Sequence, residues 1–247
     1  MFTMPNPVSR WSGFLALALL MAAAIAYWLN EERAAPVPVP APAPAPAPPV
    51  SAGQQRPDKN FDFYVLSLSW SPTYCLSTEG NGNKDQCGAS KRYGLVAHGL
   101  WPQYERGYPE FCSTNHSDRV PESLGRRFLD IMPSIGLIGH EWRKHGTCSG
   151  LNQEQYLQTT RRAFEAVQVP DDLRDGRSTK QFGTDEIETL FTAANPGLDR
   201  RGIAVTCEGN RLDEIRICLT TDLEFRTCPE VDKDGCKAAT LGVPAIR

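Results

Sequence analysis

Apolar residues fill positions 11–29 without a single charge, and this stretch, nineteen residues long, is followed by fifteen in which proline recurs at almost every second place (35–49). Nineteen apolar residues suffice to cross a bilayer, while the small Ala22, Ala24 and Ala26 suit a signal peptidase. The segment is therefore either an uncleaved anchor or an export signal. Arg10 on its N-terminal flank predicts a cytoplasmic tip and export of everything downstream. The prolines fix φ and remove backbone donors, which predicts a polyproline II stalk of roughly 45 Å or a plain linker.

From Phe61 the periodicity changes to two. Phe61, Phe63 and Val65, then Ser67 and Ser69, alternate with Tyr64, Leu66, Leu68 and Trp70, which predicts a core strand over 61–70. Residues 71–90 read as loop, and 91–98 as a second strand ending at Gly99. Leu124, Phe128 and Leu129 share one face of a helix over 121–132 that opens on Pro121. Residues 137–146 read as helix ending at Gly146. Tyr156, Leu157, Thr160, Phe164 and Val167 form the stripe of a helix over 153–167, and Thr184 caps another that runs to 195. Strands return at 203–209 and at 211–222, the latter carrying Leu212, Ile215, Ile217 and Leu219. Without a regular βαβ repeat, this order predicts an α+β fold around a central, mostly antiparallel sheet. The expected organisation is a tip and apolar segment (1–34), an Ala/Pro linker (35–57) and one disulfide-stapled domain (58–247).

Composition narrows the function. With 247 residues, 40% of them hydrophobic and 22% charged, the chain holds one globular domain after its N-terminal region. A net charge of −3 excludes a broad basic face, so any polyanion must be gripped locally. All eight cysteines follow the apolar segment, as in an exported disulfide framework, and the lack of any CxxC pair argues against a structural zinc ribbon.

The chemistry concentrates in HEWRKHGTC, 140–148. A zinc-binding helix needs two histidines at i and i+4, whereas His140 and His145 are five apart and diverge by about 140°. Neither a metal nor a cofactor is expected. On a helical wheel Glu141, Lys144 and His145 share a face, with His140 at its edge. A carboxylate, an ammonium and an imidazole on one patch suit a reaction that moves a proton while anionic charge grows, as in phosphoryl transfer. The plainer reading is a solvated charged face. A second stretch, AHGLWPQY over 97–104, puts His98 at a strand end beside Trp101 and a proline expected to stiffen a turn. Together His98 and His145 supply the acid and base of metal-free phosphodiester cleavage.

HGLWPQ and HEWRKHGTC resemble the two active-site segments of the ribonuclease T2 family, the exported, acid-preferring endoribonucleases. FYVLSLSW with SPTYC and the late VTCEGNRLDEIRICL extend the resemblance over 61–236. It implies that His145 is the general base toward the ribose 2′-hydroxyl and His98 the general acid toward the leaving 5′-oxygen. Glu141 and Lys144 would stabilise the phosphorane, His140 would hold a phosphate oxygen, and Trp101 would stack on a base. Gln103 falls where several relatives carry an acidic base-reading residue, and the partner aromatic is Tyr104, Tyr108 or Phe111. The product would be a 2′,3′-cyclic phosphate, and DNA, lacking the 2′-hydroxyl, would be inert. The resemblance also implies the pairs Cys112–Cys148, Cys207–Cys236 and Cys218–Cys228, leaving Cys75 with Cys87.

Arg126, Arg127, Arg161 and Arg162 either guide the RNA backbone or solubilise the surface. The expected partner is RNA, with the membrane added if the apolar segment is retained, and no obligate protein partner is evident. The expected location is periplasmic or extracellular. The competing reading is a non-catalytic, membrane-tethered RNA-binding or envelope-interaction module.

Overall fold

The computed structural model describes residues 60–174 and 176–246, so the apolar segment and the Ala/Pro linker lie outside the described residues. Among the described residues, no helix is long and apolar enough to cross a membrane.

Six strands form one sheet: β1 (Phe63–Trp70), β2 (Leu95–Gln103), β3 (Lys180–Gly183), β4 (Ile203–Glu208), β5 (Arg211–Leu219) and β6 (Thr240–Val243). Their order is β2-β1-β5-β6-β3, with β4 also on β5. Every strand pairing is antiparallel except the single parallel register Arg211↔Gly242 between β5 and β6. Three longer helices accompany the sheet: α1 (Ile135–Lys144), α2 (Gln153–Ala166) and α3 (Thr184–Ala194).

The alternation in β1 separates two environments. Tyr64, Leu66, Leu68 and Trp70 enter the main core with Tyr156 and Leu157 of α2 and Ile187 and Phe191 of α3. On the other face, Phe63 and Val65 pack with Cys218 and Cys228 in a small second cluster. The switch to Ser67 and Ser69 ends that cluster, and Ser69 lines an open cleft.

Two irregularities shape the cleft. Between β1 and β2, Ser67 pairs with Gly99 and Leu68 with Ala97, so His98 is the extra residue of a bulge. Between β4 and β5, Val205 pairs with Ile215 and Cys207 with Leu212, leaving Thr206 opposite both Asp213 and Glu214.

Several boundaries differ from the sequence reading. β2 begins at Leu95 rather than Lys91 and runs through HGLWPQ, so Pro102 sits in a strand and not in a turn. A sheet-edge strand tolerates proline because only one of its sides must complete a ladder, and β2 is such an edge. The helix expected over 121–132 shrinks to Glu122–Gly125 followed by a 3-10 turn, Arg126–Phe128; Gly125 weakens it and Pro133 blocks its continuation. Residues 71–90 contain two four-residue helices, Ser71–Tyr74 and Lys84–Cys87, the second capped by Asn83. Thr184 lies inside α3, whose N-cap is Gly183, and its hydroxyl donates to the Ala238 carbonyl.

Four disulfides join Cys75–Cys87, Cys112–Cys148, Cys207–Cys236 and Cys218–Cys228. The second fastens the irregular segment after β2 to the 3-10 turn that follows α1.

Candidate active site

The cleft, about 670 Å³, lies between the polar half of the sheet and α1. Ser134 starts α1 by accepting the Leu137 N–H at 3.0 Å. Burial of Ile138 and Trp142 fixes the rotation of the helix, and the Trp142 indole donates to the Ser117 carbonyl. With that face anchored, His140, Glu141 and Lys144 line the cleft. The chain leaves the helix at His145, whose N–H still reaches the Glu141 carbonyl at 2.9 Å. Gly146 follows because a Cβ there would collide with the rings of Trp142 and Tyr156.

Trp101 organises the centre. Its indole N–H donates to Glu141 Oε2 at 2.7 Å. Its ring stacks on His145, with centroids 5.2 Å apart, and meets His98 edge-on at 5.4 Å. The other carboxylate oxygen, Glu141 Oε1, stands 3.5 Å from His98 Nε2. Glu141 is only 1% exposed, and a Cβ on Gly99 would overlap its carboxylate, so glycine is required at that place. The imidazoles from the two distant segments thus flank one indole in one cleft.

Two residues without a part in the sequence reading complete this arrangement. Glu214 Oε1 lies 2.5 Å from His98 Nδ1, and Arg216 donates to Glu214 Oε2 through Nε at 3.0 Å and Nη2 at 2.8 Å. The Arg216 guanidinium also lies 5.3 Å from the Trp101 ring centre. The available signal was a pair of charged residues two apart in a strand, alternating with the buried Ile215 and Ile217.

The electrostatics push the groups in opposite directions. Burial works against a charged His98, but the bond to Glu214 and the charges of Glu141 and Glu214 outweigh it, and its pKa lies above the ordinary 6.5. Burial, with Lys144, His98 and His140 nearby, depresses His145 to about 3. Burial raises Glu141 to about 7 against the opposing pull of His98 and Trp101. Glu214, although buried, falls to about 2 through His98 and Arg216. His140 is lowered by burial and by the cations Lys144 and Arg143.

The remaining candidates divide. Lys144 lines the cleft, with Nζ 3.8 Å from Glu110 Oε2. Gln103 is buried at the end of β2 and borders both the cleft and an adjoining hollow of about 140 Å³, which Tyr104 also lines. Tyr104 packs on the main core. Trp101, expected to stack on a base, lines the cleft, and its ring meets His145, His98 and Arg216. Among the described residues, the exposed aromatics are Tyr108 (52%) and Phe111 (61%), and Tyr108 lines the cleft 6.4 Å from His145. Arg126, Arg127 and Arg161 pair with the surface carboxylates Glu122, Glu154 and Asp130, and Arg162 donates to Thr159. Among the described residues, no three His, Cys, Asp or Glu side chains are grouped to hold a metal ion.

The arrangement provides a neutral imidazole, a charged one, an ammonium and a buried carboxyl around one space, which suits acid–base chemistry on an anion. Comparison with known proteins points the same way. The profile of the Ribonuclease T2 family matches residues 61–228. A "Ribonuclease" of Aeromonas hydrophila is 46% identical over 98 residues, 40% of this chain and 42% of that protein. A "Probable ribonuclease" of Haemophilus influenzae is 34% identical over 179 residues, 68% of this chain and 61% of that protein. The chain therefore spans less than two thirds of either relative. Among solved structures, an RNase-related protein from Calystegia sepium shares the fold with a TM-score of 0.62 at 23% identity, covering 76% of this chain and 98% of its own.

Proposed function

The chain belongs to the Ribonuclease T2 family, and on that basis we propose that it is a metal-independent endoribonuclease acting on single-stranded RNA. It cleaves by transphosphorylation and leaves a 2′,3′-cyclic phosphate. The observation that carries this reading is the meeting of His98 and His145 on Trp101, with their proton affinities displaced in opposite directions.

Each residue then has a task. His145, neutral, takes the proton of the ribose 2′-hydroxyl, whose oxygen attacks phosphorus. His98, protonated, gives its Nε2 proton to the leaving 5′-oxygen as the P–O bond breaks. Lys144 balances the charge that accumulates on the phosphorane, and His140, at the cleft wall, holds a phosphate oxygen. Glu141 keeps its proton below about pH 7, so it donates a hydrogen bond to a phosphoryl oxygen instead of repelling it. Tyr108 offers a base its exposed ring, Gln103 reads a base edge, and Trp101 orients His145.

Four disulfides suit an oxidising compartment. The enzyme therefore works outside the cytoplasm, held at the membrane by residues 11–29 wherever these are not removed.

The test is incubation of the purified protein with homopolymer RNAs and with DNA, with and without EDTA. Cyclic-phosphate ends from RNA, none from DNA, and indifference to EDTA are expected. Cleavage of DNA, or loss in EDTA with rescue by zinc, overturns the mechanism. RNA binding without cleavage would instead establish the non-catalytic module.

A further inference from the structure

We propose that Glu214 and Arg216 form a positioning pair for His98, fixing which ring nitrogen faces the substrate and holding the imidazole in its proton-donating state. This rests on the reading of His98 as the general acid.

The fold is built to make this contact. In a regular strand Leu212 and Ile215, three apart, would face opposite sides, yet both are fully buried in the core. The bulge opposite Thr206 absorbs the extra residue and directs Glu214 into the cleft. The Thr206 hydroxyl accepts the Glu214 N–H at 3.0 Å and locks the bulge. The carboxylate then receives three donors: His98 Nδ1–H, Arg216 Nε–H and Arg216 Nη2–H.

The chemical consequence follows from the tautomer. An imidazole whose Nδ1–H is held by a carboxylate can release only its Nε2 proton. Nε2 is the nitrogen that faces Glu141 across the cleft. During the step the Nε2–H bond breaks, an O–H bond forms on the leaving oxygen, and Nδ1–H stays on Glu214. Arg216 keeps Glu214 ionised, so the carboxylate does not take the proton itself. The charged and titratable groups that line the cleft with His98 are His140, Glu141, Lys144 and His145 from the α1 side, Asp213, Glu214 and Arg216 from β5, and Tyr74, Glu79 and Tyr108 from the segments after β1 and β2. Of these, only Glu214 hydrogen-bonds the ring.

The discriminating variant is Glu214→Gln, which keeps the shape and removes the charge. On RNA its kcat should fall on the order of 10²-fold, the lower range for loss of a general acid, with KM nearly unchanged. The alkaline limb of its pH profile should move to lower pH, and the His98 ring should titrate at lower pH by NMR. A nucleoside 3′-(4-nitrophenyl phosphate), whose leaving group needs no proton, should lose less than about threefold, since general-acid assistance contributes little there. Arg216→Lys keeps the charge but loosens the two-point grip on Glu214, so it should lose turnover on RNA more than on the nitrophenyl substrate, in a smaller step, and it serves if the first variant does not fold. Equal losses on both substrates, or an unmoved His98 titration, overturn the proposal. A wild-type protein that fails to cleave RNA defeats the functional reading instead, while the His98 titration still tests the pair.

Discussion

His98 and His145 differ less in chemistry than in surroundings: one faces two carboxylates, the other is buried among cations and an indole. That difference fixes the pH dependence. kcat/KM should rise as His145 loses its proton near pH 3 and fall as His98 loses its own above 6.5 and Glu141 its own at about 7. A profile on RNA with a single limb, or with its rising limb near 6.5, contradicts the role assignment. Glu141 makes a separate prediction for stability. Its folded pKa of about 7 exceeds the ordinary 4.5, so its favourable contribution is complete below 4.5 and lost as pH rises through 7. Glu141→Gln should therefore stabilise the fold at pH 8 but not at pH 4, by roughly 3 kcal/mol at most for a displacement of this size, while activity falls. Thermal melts at the two pH values decide it. These residues were legible in the sequence because titratable groups packed into nine positions demand an explanation. Glu214, far along the chain from His98, could be found only once the strands were paired.

Strand irregularity explains why the sites lie where they do. Strict alternation would put His98 and Trp101, three apart, on opposite faces of β2, yet both line the cleft because the bulge shifts the phase between them. Ala97 and Leu100 face the core for the same reason. The apolar spacing of three was visible in both β2 and β5, but it also fits a helix, so sequence alone could not identify a bulge. The change from Val65 to Ser67 and Ser69 was legible, and it marks where the sheet becomes the cleft floor. The bulge leaves Gly99 against Glu141, so Gly99→Ala should cost about 1–3 kcal/mol by overpacking. It should also lower kcat by displacing the carboxylate. Denaturant unfolding alongside turnover tests this, and a fully active, equally stable variant refutes it.

The molecule as a whole depends on its disulfides for more than compartment. By loop-closure entropy, removing Cys112–Cys148, separated by 36 residues, should cost about 4 kcal/mol, against about 3 for Cys75–Cys87, separated by 12. The activity losses should differ more than the stabilities, since Cys148 lies three residues beyond His145. Double serine variants, compared by unfolding and by RNA turnover below their melting temperatures, test the ranking. The α+β class and the main strands followed from periodicity, whereas β3 and β6, four residues each, were too short to show any. The pairing of distant histidines was legible only through the motifs, because nothing local in a chain specifies which strand end meets which helix end.

Trp101 is half-exposed in the cleft, whereas Trp70 and Trp142 are sealed in the core. Among the described tryptophans, collisional quenchers such as iodide should therefore dim its emission preferentially, and an oligonucleotide that fills the cleft should shield it. The protein thus carries an intrinsic fluorophore for following ligand occupancy in real time, without a dye, and Trp101→Phe should abolish that signal.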